Sequence, residues 1–220
     1  MKFIEKQFKQ ILLTTVFLLG VITAMSQLPR KPVAHKKIVA KHVSKQLKDF
    51  MQLADEANVV FTFPAGLKEI PVINNENFSY DYALELPGRD FEVWFQVRSQ
   101  KQDWIDYERF KDDPNKQLPS PDSSYNTIGR AQGSAFTGDQ KYLIRTIPQD
   151  ILARYNANVG KTYFLNLQDL PETKHYKYAL LITLQKDHIG TIVAVCFAND
   201  KGPEFFKNIN KVSKCLKFKK

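Results

Sequence analysis

Between His175 and Phe218 the chain alternates apolar and polar residues, then becomes apolar on both sides. Tyr176, Tyr178, Leu180, Ile182 and Leu184 recur every second residue, the spacing at which strand side chains share a face. After a KDHIG break, Val193, Val195 and Phe197 fall on one face of the next strand. Ile192, Ala194, Cys196 and Ala198 fall on the other, so this strand is predicted to be interior. Its second face is rich in small residues and lets a helix backbone approach closely. The cover is predicted to follow Pro203, where Phe205, Ile209, Val212 and Leu216 form one helical stripe. A hairpin feeding a closing helix, over the Ala194 and Cys196 side, is the expected centre of the fold.

Upstream, Val43, Leu47, Phe50, Met51 and Ala54 give helical spacing within residues 38–57. VVFTFP at 59–64 reads as a short strand stopped by proline, and the next residues to Asn77 read as a turn-rich connection. A second hairpin is clearer. Tyr80, Tyr82, Leu84 and Leu86 alternate in one arm, and Phe91, Val93, Phe95 and Val97 alternate in the other. Pro87-Gly88 between them suits the centre of a type II turn. Trp94 falls on the opposite face and needs its own cover. Residues 99–123 lack strand character and read as a long variable loop. A weak helix follows at 125–136, with Ile128, Gln132 and Ala135 on one face and Gly129 and Gly133 arguing against length. Strands at 141–147 and 161–167 flank a short helix opened by Pro148. Together these elements predict one α+β domain over residues 38–220, a twisted antiparallel sheet flanked by helices.

The N-terminus changes where such a domain would work. Lys2, Lys6 and Lys9 precede an uncharged apolar run, Ile11 to Ala24, and Ala24-Met25-Ser26 places small residues where a signal peptidase reads. The run is shorter than the roughly 20 residues of a membrane span. Residues 1–26 are therefore expected to be a signal peptide and 27–37 a flexible lead-in. The mature chain would have no transmembrane segment and would be periplasmic or extracellular. Removing residues 1–26 takes away three lysines and one glutamate, so the net charge falls from +9 to +7. The remaining excess gathers at the two ends. In an exported protein it points to an anionic envelope component or an acidic protein rather than to nucleic acid. The plainer reading is a solvated basic tail.

Candidate chemistry is sparse. Cys196 and Cys215 are the only cysteines, too few to be a framework for this length. A disulfide is possible after export, while the apolar setting of Cys196 favours two free thiols. No nucleophile elbow, zinc signature, phosphate loop or dinucleotide fingerprint occurs. His175 and His188 fall at opposite ends of a hairpin arm, which argues against a shared metal. No cofactor or metal is expected. Trp104, Tyr107 and Phe110, spaced by three among acidic residues, form a candidate partner-binding platform for a glycan or a cationic peptide. The alternative is that they pin the loop to the sheet.

The element order also carries a likeness. Helix, strand, FEVWFQVR hairpin, variable loop, helix, KTYFLNL, KYALLITLQ, TIVAVCFA and an ending in SKCLKF resemble the superfamily of PsbP, DcrB and the Ran-binding Mog proteins. The resemblance covers residues 59–218 and implies an α/β/α sandwich, in a superfamily whose members mostly bind or scaffold other proteins; a monomer is the expected form. The expected function is an exported, non-catalytic binding or accessory domain. Two alternatives stand beside it, a hydrolase of envelope or extracellular polymers and a surface-associated protein held by its basic ends.

Overall fold

The computed structural model describes residues 43–75, 78–116, 118–138 and 141–220. The expected signal peptide, the lead-in and the start of the helix expected from residue 38 lie outside them. Helix α1 spans Lys45–Glu56 and begins at Ser44, whose Oγ accepts the Leu47 N–H at 3.0 Å. This cap sets the helix start after Val43, so Val43 is exposed rather than part of the buried stripe. Met51 is also exposed, and Phe50 and Ala54 make the inward contacts.

Among the described residues, seven strands form one antiparallel sheet. In chain order they are β2 (Lys68–Ile70), β3 (Tyr82–Glu85), β4 (Phe91–Ser99), β5 (Leu143–Thr146), β6 (Val159–Asn166), β7 (Tyr178–Lys186) and β8 (Gly190–Ala198). Their spatial order is β2-β3-β4-β8-β7-β6-β5, so β8 is the middle strand, as its two apolar faces require. β2 lies within the connection that reads as turns in the sequence. The β3–β4 turn closes with the Arg89 N–H on Leu86 O, and Gly88 has φ +72°, as the third position of a type II turn demands.

Alternation in the β3–β4 hairpin breaks at Asp81. Its N–H donates to Phe95 O and its carboxylate accepts the Val97 N–H at 2.7 Å. Tyr82 and Leu84 therefore face one core, while Tyr80 packs with Trp94 on the opposite side. Across that opposite face, register aligns Ala83, Trp94, Val195, Leu181 and Tyr163 in one row over five strands. Helix α2 (Lys101–Phe110) occupies the expected variable loop, and α3 (Ser124–Thr137) covers the Trp94 row. The glycines of α3 permit this cover. A Cβ on Gly129 would stand 2.4 Å from Tyr163 Oη, so only glycine allows the helix so close. The buried face of α3 is Gly129, Gly133, Phe136 and Thr137, not the stripe of Ile128, Gln132 and Ala135.

The other face of the sheet is covered by α1, by α4 (Gln149–Leu152), which runs into a 3-10 turn at Ala153–Tyr155, and by α5 (Pro203–Val212). Phe205, Ile209 and Val212 of α5 join Cys196 and Ala198 in one core, as the stripe predicts. Leu216 departs from it. The helix ends at Val212, and Leu216–Phe218 forms β9, paired antiparallel with β1 (Val59–Phe61). The result is a single α+β domain of three layers, with helices on both sides of an antiparallel sheet.

Candidate binding site

The site lies where β4 ends, the β7–β8 hairpin turns and α3 begins. Gln100 caps this junction and is buried, its backbone N–H donating to Ile189 O at 3.0 Å. Its amide Nε2 donates to Pro121 O and to Ser124 Oγ, each at 2.6 Å. Gln185 returns a hydrogen bond to Gln100 Oε1, and Thr191 Oγ1 donates to Gln185 Oε1 at 2.7 Å. These buried polar groups satisfy one another, which ties the loop to the sheet by geometry as well as by apolar contact.

Asp122 is the hub above this network. Its Oδ1 accepts the Trp104 indole N–H at 3.2 Å, the His188 backbone N–H at 2.9 Å and Gln185 Nε2 at 3.3 Å. His188 is at the hairpin tip with φ +61°, a left-handed conformation uncommon for a residue with a side chain. Its imidazole stacks on the Trp104 indole with centroids 3.9 Å apart and planes 21° apart. Tyr107 meets Trp104 edge-on at 5.3 Å. Asp187, beside His188, is pushed above its ordinary pKa by partial desolvation and by the Asp122 charge, with His188 opposing.

Beside Tyr107 runs a groove of about 330 Å³. Asp103 and Asp106 of α2 form one wall, and Leu118, Pro119 and Ser124 line the other. Trp104, Tyr107 and Phe110 are all half-buried, neither free in solvent nor part of the core. The structure brings Trp104 and Tyr107 together but leaves Phe110 apart, where Lys116 Nζ lies 3.3 Å from its ring centroid. So two of the three candidate aromatics adjoin, and the Trp104 indole N–H is already held by Asp122.

Sequence reasoning missed Asp122 and the part played by His188. Each is a single polar residue in a turn, and only the meeting of distant segments gives them meaning. His188 Nε2 lies 3.8 Å from Asp122 Oδ2, beyond hydrogen-bond reach, and among the described residues no hydroxyl or thiol is hydrogen-bonded to the ring. His175, at the far end of β7, contacts Asp169 through Nδ1 at 2.5 Å instead. Among the described residues no cluster of His, Cys, Asp and Glu has metal-ligand geometry. Nor is any described helix long and apolar enough to cross a membrane. Cys196 and Cys215 are both buried and unbonded to each other, so no disulfide joins them. No family model matches the sequence, and no curated protein matches it.

Proposed function

We propose that this chain is an exported, non-catalytic binding domain, and that the α2 groove receives a cationic segment of a protein partner. One observation carries the reading: Trp104, held by Asp122, backs Tyr107 edge-on, and the half-buried Tyr107 lines a groove together with Asp103 and Asp106. An aromatic pair whose indole N–H is already satisfied loses little entropy on docking, and such residues commonly dominate an interface. The acidic wall selects a positively charged segment, and the groove's proline-lined side favours an extended one. The proposal takes up the resemblance to the PsbP, DcrB and Mog superfamily, whose members bind or scaffold other proteins.

Titration with an extended oligo-arginine peptide, followed by Trp fluorescence and calorimetry, tests the groove directly. Binding is expected to weaken with salt and to fall about tenfold or more in the Trp104→Ala/Tyr107→Ala variant. A pull-down from envelope extract with the same pair of proteins tests the natural partner. Equal recovery of every partner by both proteins, with equal peptide binding, would remove the groove as the contact. Turnover of an envelope polymer, abolished by one polar substitution, would replace the binding reading with hydrolysis.

A further inference from the structure

On the other face of the sheet, α5, the 3-10 turn at Ala153–Tyr155 and β9 line a half-open pocket of about 430 Å³. That volume lies in the range of roughly 300–1,000 Å³ used by small-ligand sites. Its walls are of two kinds. Phe206, Ile209 and Leu216 are apolar, while Arg154, Lys214 and Lys217 are cationic. Among the described residues no acidic one lines it, and none of the three cations has an ion-pair partner. Phe206 leaves about half of its surface in water beside the buried Phe205. An exposed aromatic beside three cations that no carboxylate neutralises offers a ligand an apolar and an anionic subsite side by side.

The walls are well anchored. Cys215 N–H donates to Val212 O at 3.0 Å, turning the chain out of α5 into β9. Asn156 Nδ2 donates to Phe218 O at 2.7 Å, tying β9 to the 3-10 turn. Arg154 and Lys217 therefore come from segments fixed to each other, and Lys214 comes from the loop between α5 and β9. Three full positive charges outweigh the fractional negative charge at the C-terminal end of α5.

We infer that this cavity binds a single-chain anionic amphiphile. Its phosphate or carboxylate would sit among Arg154, Lys214 and Lys217, and its first carbons would lie on Phe206, Ile209 and Leu216. The guanidinium offers a paired-donor fork for an oxyanion, and the two ammonium groups add point charge. Neither half explains the site alone. A bare phosphate leaves Phe206 in water, and a neutral alkyl chain leaves three cations unmatched. This inference is independent of the α2 groove.

The test uses the full chain and dodecyl phosphate below its micelle threshold, with inorganic phosphate and dodecyl maltoside as separate arms, read by calorimetry. Dodecyl phosphate is expected to bind about tenfold or more tightly than either control. The Arg154→Gln/Lys214→Gln/Lys217→Gln variant should lose about tenfold in affinity, and Phe206→Ser, a change at an exposed position, should weaken binding with the melting temperature retained. Equal binding of inorganic phosphate would reduce the site to a charged patch and overturn the inference. So would equal binding by both variants, or no binding by the wild type. Association with anionic vesicles without uptake of the monomeric amphiphile would overturn it in favour of a membrane surface.

Discussion

Trp104 and His188, eighty-four positions apart in the sequence, stack face to face 3.9 Å apart because one carboxylate holds both. Asp122 receives the indole N–H of one and the backbone N–H of the other, and so fixes a helix to a hairpin tip. Replacing Asp122 with Ala strands two donors, the Trp104 indole N–H and the His188 backbone N–H, while the Gln185 amide keeps Gln100 Oε1 and Lys186 O. The expected cost is about 1–3 kcal/mol, measured by urea denaturation. Faster amide exchange should be confined to α2 and the β7–β8 turn. Unchanged exchange there would mean the aromatic pair is held by packing alone.

Gly129→Ala tests the closeness of α3 to the sheet. An exposed helical site gains up to about 1 kcal/mol from this change. Here the new methyl meets the Tyr163 ring at 2.4 to 2.5 Å, so a net loss of about 1–3 kcal/mol is expected. Adding Tyr163→Leu should recover part of the loss, read as coupling in a double-mutant cycle.

The thiols should be silent in the folded protein. Burial pushes Cys215 up to about 12 and, with Cys215 nearby, raises Cys196 further. At pH 8 neither forms thiolate appreciably, so labelling by a maleimide should follow unfolding rather than local access. Protein purified without reductant should release two reactive thiols on denaturation. Finding none would establish the disulfide that the structure lacks.

Asp81 sets a pH dependence of known sign. Desolvation raises its pKa above the ordinary 3.8, against the opposing pull of the Val97 N–H and Arg98. The folded state therefore holds this proton more tightly than the unfolded state. Its contribution is fully present below the unfolded value and is lost as pH rises through the folded one. Asp81→Asn keeps an oxygen for the Val97 N–H and removes the buried charge. The variant is expected to be more stable than wild type at pH 7, with the difference closing as pH falls towards 3.8. A gap that widens on acidification would reverse the assignment.

How much of this was legible in the sequence depends on the range of each interaction. The two hairpins are written locally, through the period-two rows of β3, β4 and β8 and the Pro87-Gly88 turn, whereas in the expected β7 row Leu180, Ile182 and Leu184 share one core and Tyr176 packs in the other with Ala179 and Leu181. The start of α5 is equally local, with Pro203 at its first turn. Where a partner lies far away, the pattern misleads. Leu216 fits a helical stripe yet pairs with Phe61. Gly129 and Gly133 lower helix propensity, but they exist for the approach of Tyr163 and Tyr142, which no local rule displays. The spacing of Trp104 and Tyr107 pointed to α2, whereas Asp122, which orients them, sits beyond a proline-rich connection with no signature of its own.

The pairing of β1 with β9 sets an order of events for the newborn chain. Val59 emerges early, and its strand partner Phe218 is made only after every other described strand. Until then Val59, Leu67 and the inward side of α1 lack the Leu216 and Phe218 side chains that complete their core. Because the contact spans most of the domain, its loop-closure entropy falls due late. Synthesis therefore leaves the domain unlatched while most of it has already been made. A chain in that state keeps open the apolar side that β9 covers, and this part of the core closes only when β9 arrives.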